Sequence, residues 1–105
     1  MTFRINGQTW TMSYMDSDSS KLNPGGDDIY LGLTEYSKQR IRIRTGMSKQ
    51  LTRSTVSHEL CHMFLFVYGF GTSITFGEEE VCNFIGAHLD HIKDLTDEFM
   101  EKETT

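Results

Sequence analysis

The sequence predicts a single α+β domain. Three observations carry this: strand-type alternation confined to residues 1–47, two long helical patterns over residues 48–100, and a length of 105 residues, enough for one core and not two. The chain is read as one domain over 1–105, with a sheet-rich half and a two-helix half.

The elements follow in order. Phe3-Arg4-Ile5 alternates, and Asn6-Gly7 after it is a two-residue hairpin signal. Alternation resumes from Thr9 to Met15, with Trp10, Met12 and Tyr14 on one face. Residues 16–28 are polar and contain Pro24-Gly25-Gly26, a loop signature. Residues 28–34 read as a third strand that Gly32 weakens, and Glu35–Gln39 turn the chain. Arg40-Ile41-Arg42-Ile43-Arg44 has period two, isoleucines inward and arginines outward. The expected strands are 2–6, 8–15, 28–34 and 40–44, forming a small, twisted, mostly antiparallel sheet.

Ser48 can cap a helix running to Tyr68, where Gly69 stops it. This helix is apolar on most sides toward its C-terminal end, which marks it as the central core helix. Thr75-Phe76-Gly77-Glu78 fits a capping box for a second helix over about 76–99. Its expected apolar stripe is Val81, Phe84, Ile85, Leu89, Ile92 and Leu95, and the chain should fray from Glu101 onward.

Composition excludes several classes. Fifteen acidic against ten basic residues give a net charge of −5, unlike the strongly basic balance of a nucleic-acid-binding domain. No apolar run approaches the ~18 residues that would cross a bilayer, and the N-terminus has no basic-then-apolar targeting pattern. The expectation is a soluble, cytoplasmic protein that uses neither membrane nor nucleic acid; the sequence does not set its oligomeric state. Two cysteines, Cys61 and Cys82, are too few for a disulfide scaffold and read as buried free thiols.

His58-Glu59-Leu60-Cys61-His62 is a His-Glu-x-x-His motif. Residues four apart share one helix face, so both imidazoles can converge on one ion. Glu59 is rotated by about 100° from His58 and flanks that ion as a general base rather than a ligand. Zinc in such a site acidifies water to a pKa of ~7 and polarises a scissile carbonyl. The pattern arises by chance in about one chain in a hundred of this composition; its place inside a predicted helix that follows strands raises its weight.

A catalytic zinc needs a third protein ligand. The second helix opens with Glu78-Glu79-Glu80. Glu78 is the capping-box partner, and Glu80 shares its face with Phe84 and Ala87. Glu79 has polar Asn83 one turn on and is the expected ligand, followed by Glu80 and then Glu78. His88 and His91 lie well around the helix from Glu79 and read as solvated or supporting residues. An electrophilic helper for a developing oxyanion could come from Tyr14, Tyr30, Tyr36, Tyr68, His88 or the arginines. The arginines of residues 40–44 read as a charged, exposed edge that resists strand pairing, or as a face for an acidic substrate segment.

The motif with Phe64-Leu65-Phe66 and Tyr68-Gly69-Phe70 after it, and Glu78-Glu79-Glu80-Val81-Cys82-Asn83-Phe84-Ile85 downstream, resembles small phage- and prophage-encoded metallopeptidase-like proteins of the ImmA/IrrE type. Gly32-Leu33-Thr34 and Gln39-Arg40-Ile41-Arg42-Ile43 fit their strand region, so the resemblance covers residues 29–95. It implies a minimal zincin-like fold of the gluzincin kind. His58 and His62 would be zinc ligands, Glu59 the base, and a glutamate of the 78–80 run the third ligand. Larger members cleave specific repressors in phage or mobile-element switching. The expected function is therefore a zinc-dependent endopeptidase acting on a protein or peptide substrate, with such a repressor as the expected kind. The alternative is a non-catalytic, phage-encoded binding module that keeps the fold and metal site.

Overall fold

The computed structural model describes residues 1–69 and 77–103. Four strands form one mixed sheet: β1 (Thr2–Ile5), β2 (Gln8–Met15), β3 (Gly32–Glu35) and β4 (Arg40–Arg44). Two helices follow, α1 (Lys49–Val67) and α2 (Glu78–Lys102). This is the expected α+β fold. No helix among the described residues is long and apolar enough to cross a membrane.

The β1–β2 hairpin turns at Asn6 and Gly7, with φ of 46° and 79°. Those paired positive values make the mirror-image turn whose twist matches the strands it joins. The order across the sheet is β1-β2-β4-β3. β1–β2 and β4–β3 are antiparallel, whereas β2–β4 is parallel. The parallel pair follows from the route of the chain. Residues 16–31 carry it past β4 to the far edge, and β3 then returns into β4 through a single 3-10 turn, Tyr36–Lys38.

Two expectations for this half change. The third strand begins at Gly32 rather than residue 28, because residues 16–31 form a strap with its own bonds: Tyr30 N–H donates to the Leu22 carbonyl, and Leu22 is fully buried. β4 is an interior strand, so its arginines do not form an exposed edge. Arg40 and Arg44 work locally instead, while Arg42 Nε is buried with no hydrogen-bond partner among the described residues. Arg40 pairs with Glu35, and the Arg44 guanidinium donates to the carbonyls of Ser17 and Tyr30 and to Asn23 Oδ1. Arg44 thereby holds the strap against the sheet.

Register fixes which face does what. Met12 pairs with Ile41 and Tyr14 with Ile43, while Gly32 pairs with Ile43 and Thr34 with Ile41. All of these lie on the sheet face that meets α1. Trp10, Met12, Ile41 and Ile43 pack there against Val56, Leu60, Met63 and Phe64 of α1, all fully buried. Ser48 caps α1, its hydroxyl accepting from Leu51 N–H.

α2 runs antiparallel to α1, with Arg53 on Asp97, Ser57 on Thr96 and Tyr68 on His88. It starts two residues later than expected, with Gly77 as its N-cap and no side-chain cap bond, so Glu78 is the first residue of the helix and not a capping-box partner. Thr75 and Phe76 lie outside the described residues. At the other end α2 continues to Lys102 without fraying at Glu101, and the N-terminal amine of Met1 donates to Glu103. The stripe is half met: Phe84, Ile92 and Leu95 are buried, but Val81, Ile85 and Leu89 are exposed. Cys82 is exposed and Cys61 half-buried, so the expectation of two buried thiols fails for Cys82.

Candidate metal centre

The motif sits in the middle of α1, where the helix turns from its buried face toward solvent. His58 and His62 are exposed and Glu59 is buried. The two histidine rings stand 4.8 Å apart between centroids at 76°, and their Nε2 atoms approach to 3.2 Å. Two ligands held 2.0–2.1 Å from one tetrahedral ion are separated by about 3.3 Å. The pair therefore has the spacing of two ligands of a single zinc-sized ion, and the donor set of two imidazoles beside a carboxylate suits that ion.

Glu59 is held by β3. Thr34 Oγ1 lies 2.8 Å from Glu59 Oε1, within donating distance, and 3.2 Å from the Glu59 carbonyl oxygen. The other carboxylate oxygen, Oε2, lies 3.8 Å from His58 Nε2. One oxygen is thus anchored and the second faces the histidine pair. Gly32 makes room for this: a Cβ there would stand 2.8 Å from Glu59 Cγ and 3.1 Å from Thr55 Cγ2. A strand with any side chain at 32 could not come this close to the helix.

His58, Glu59 and His62 are the one such potential ligand group found among the described residues, their ligand atoms all within 4.8 Å of one another. Glu79 is not part of it. It is exposed on the first turn of α2, as is Glu78, with Glu80 half-buried beside them. The segment joining α1 to that turn, residues 70–76, lies outside the described residues.

The helper candidates separate. Tyr14 packs on Phe99 and Tyr68 on His88, both toward α2. Tyr36 stacks on Phe66 at 4.8 Å, and its hydroxyl is pushed above the ordinary tyrosine range by burial and then by the Glu59 charge. Tyr30 lines a cleft of about 490 Å³ that runs between the strap and the first turns of α1 and ends at His58 and Glu59. His88 is half-buried against the rings of Phe64, Tyr68 and Phe84, 4.4–5.4 Å away.

Sequence reasoning missed Thr34 and Gly32 as parts of the site. The signal was present in the period of the strand, since residues 32 and 34 share a face. What it lacked was the identity of the helix residue opposite. No family model, curated protein or solved structure matches this chain.

Proposed function

We propose that this protein is a zinc-dependent endopeptidase of the small ImmA/IrrE-like kind, cleaving a peptide bond in a protein substrate such as a repressor. The observation that carries the reading is the convergence of the two histidine Nε2 atoms at 3.2 Å beside a buried carboxylate whose outer oxygen faces them.

His58 and His62 would hold the ion, with a glutamate of the 78–80 run as the third ligand that the family resemblance implies, and Glu79 the one its polar neighbour Asn83 favours. When bound, zinc supplies a Lewis acid that acidifies water and polarises a carbonyl. Glu59 Oε2 takes the proton from the attacking water and passes it to the leaving amine. Thr34 keeps Oε1 occupied, so the working oxygen stays aimed at the histidine pair. The free edge of β3 orients an extended peptide by strand pairing. Tyr30 lines the cleft that ends at His58 and Glu59, and the Tyr36 hydroxyl, held protonated by burial and the Glu59 charge, is the donor offered to a developing oxyanion.

The test compares zinc-loaded wild type with Glu59→Gln in a bacterial lysate, reading new peptide N-termini by mass spectrometry. Wild type should generate a small set of new termini that the variant lacks, with the rate down by at least about 10²-fold. Identical termini in both, or none from wild type, would contradict the reading and leave a non-catalytic binding protein.

A further inference from the structure

The cleft that ends at His58 and Glu59 has a chemistry of its own. Its volume of about 490 Å³ lies in the range of small-ligand pockets, about 300–1,000 Å³. Three exposed large apolar side chains line it: Ile29 and Tyr30 of the strap, 60% and 45% exposed, and Leu51 of α1, 41% exposed. Apolar side chains gathered around one concavity mark a binding site rather than scattered surface residues.

The polar groups of its walls are already engaged. The Ser54 and Thr55 hydroxyls both donate back to the Leu51 carbonyl, at 3.1 and 2.8 Å. Tyr30 N–H donates to the Leu22 carbonyl, and the carbonyls of Tyr30 and Leu31 accept from Arg44. No lysine or arginine lines the cleft, and its one carboxylate, Glu59, sits at the inner end bonded to Thr34. A charged guest would lose water there with little in return, whereas an apolar guest gains by burial.

The place where the cleft ends selects the occupant. Gly32 lines it and is also the first residue of β3, an edge strand of the sheet. Gly32 and Thr34 share the face toward α1. A peptide extended along that edge presents every second side chain to the same face. The side chain level with the cleft then belongs to a residue beside the carbonyl at the histidine pair. We infer that the cleft is a specificity pocket taking one large apolar side chain, leucine or phenylalanine, next to the scissile bond, with Leu51 and Ile29 as the residues that select it. The occupant is named on the proposed peptidase activity, whereas the preference itself is measured by binding.

The zinc-loaded Glu59→Gln protein, in which peptides bind and stay intact, is titrated with acetyl-Ala-Ala-X-Ala-Ala-amide and followed by backbone amide NMR shifts, X being Leu, Phe, Ala, Asp or Lys. The Leu and Phe peptides should bind about tenfold or more tighter than the other three, with shifts at residues 29–32 and 51–59. Leu51→Asp and Ile29→Ser, each added to that protein, should remove the preference with unchanged far-UV circular dichroism, since both side chains are exposed. Equal affinity for all five peptides overturns the proposal. So does a preference that survives both substitutions, or shifts confined to α2. The expected preference alongside a zinc-loaded wild type that cuts nothing would uphold the pocket and remove the peptidase reading.

Discussion

Among the described residues, Glu59 is the one buried side chain that carries a formal charge. A buried carboxylate is costly unless it is bonded, and the bond it has comes from Thr34. That link is worth about 1.5–3 kcal/mol for a charged acceptor, or roughly 10- to 100-fold in rate if it aims the base. Thr34→Val should lower kcat by that factor with KM and zinc affinity unchanged, and Thr34→Ser should recover most of it. Equal kcat for the valine and wild-type proteins would remove Thr34 from the mechanism. His88 makes a second prediction. Its half-buried ring packs against three aromatic rings, and its pKa is held below the ordinary value, first by burial and then by the nearby His91. Above the ordinary pKa of about 6.5 both folded and unfolded states are neutral here. As pH falls below it, the unfolded chain takes the proton first, so stability is lost with falling pH until the folded pKa is passed. Thermal unfolding between pH 7.5 and 5 should therefore show a smaller drop in Tm for His88→Gln than for wild type. An equal or larger drop in the variant would contradict this.

At the scale of elements, alternation and caps carry most of the information. The hairpin at Asn6-Gly7, the strands at 8–15 and 40–44, and α1 with its Ser48 cap are all legible, because each depends on local turn chemistry or a strict period. Sheet order is not, since nothing local tells β4 that β2 lies on one side and β3 on the other. The arginines of β4 thus read as an edge although Arg40 faces Glu35 and Arg44 the strap. The α2 stripe fails for a related reason. Periodicity gives the apolar side of a helix but not the extent of its cover. Tyr68 at the end of α1 sits against His88, so the first turns of α2 run past α1. The histidine pair and Glu59 were legible because one helix holds them. Glu79 depended on a connection between two helices, which no spacing rule sets. Gly32 shows what the sheet contributes to the site. Gly32→Ala would place its Cβ 2.8 Å from Glu59 Cγ, and overpacking of this kind costs about 1–3 kcal/mol. Urea unfolding should show that loss, together with lowered activity. A variant as stable and active as wild type would mean that β3 and α1 can part without consequence.

Across the whole molecule, the strap of residues 16–31 joins the outer face of the sheet to the cleft. Arg44 reaches it from β4 through four polar groups, and its Ile29, Tyr30 and Leu31 form the wall opposite Leu51 and Thr55. Arg44→Ala should speed amide hydrogen exchange across residues 17–31 while leaving the Trp10–Phe64 core protected; uniform exchange in both proteins would deny the clamp. The two halves meet at the candidate metal centre, where β3 holds the base and α1 carries the histidines. The central claim is that these side chains form one zinc site in which Glu59 is not a ligand. Titration of the metal-free chain with zinc, read by calorimetry and checked by elemental analysis, tests it directly. One zinc should bind per wild-type chain, with binding lost in His58→Ala and His62→Ala and retained in Glu59→Gln. A wild-type chain that takes up no zinc, or a Glu59→Gln chain that loses it, would contradict a site held by the two histidines with Glu59 outside it.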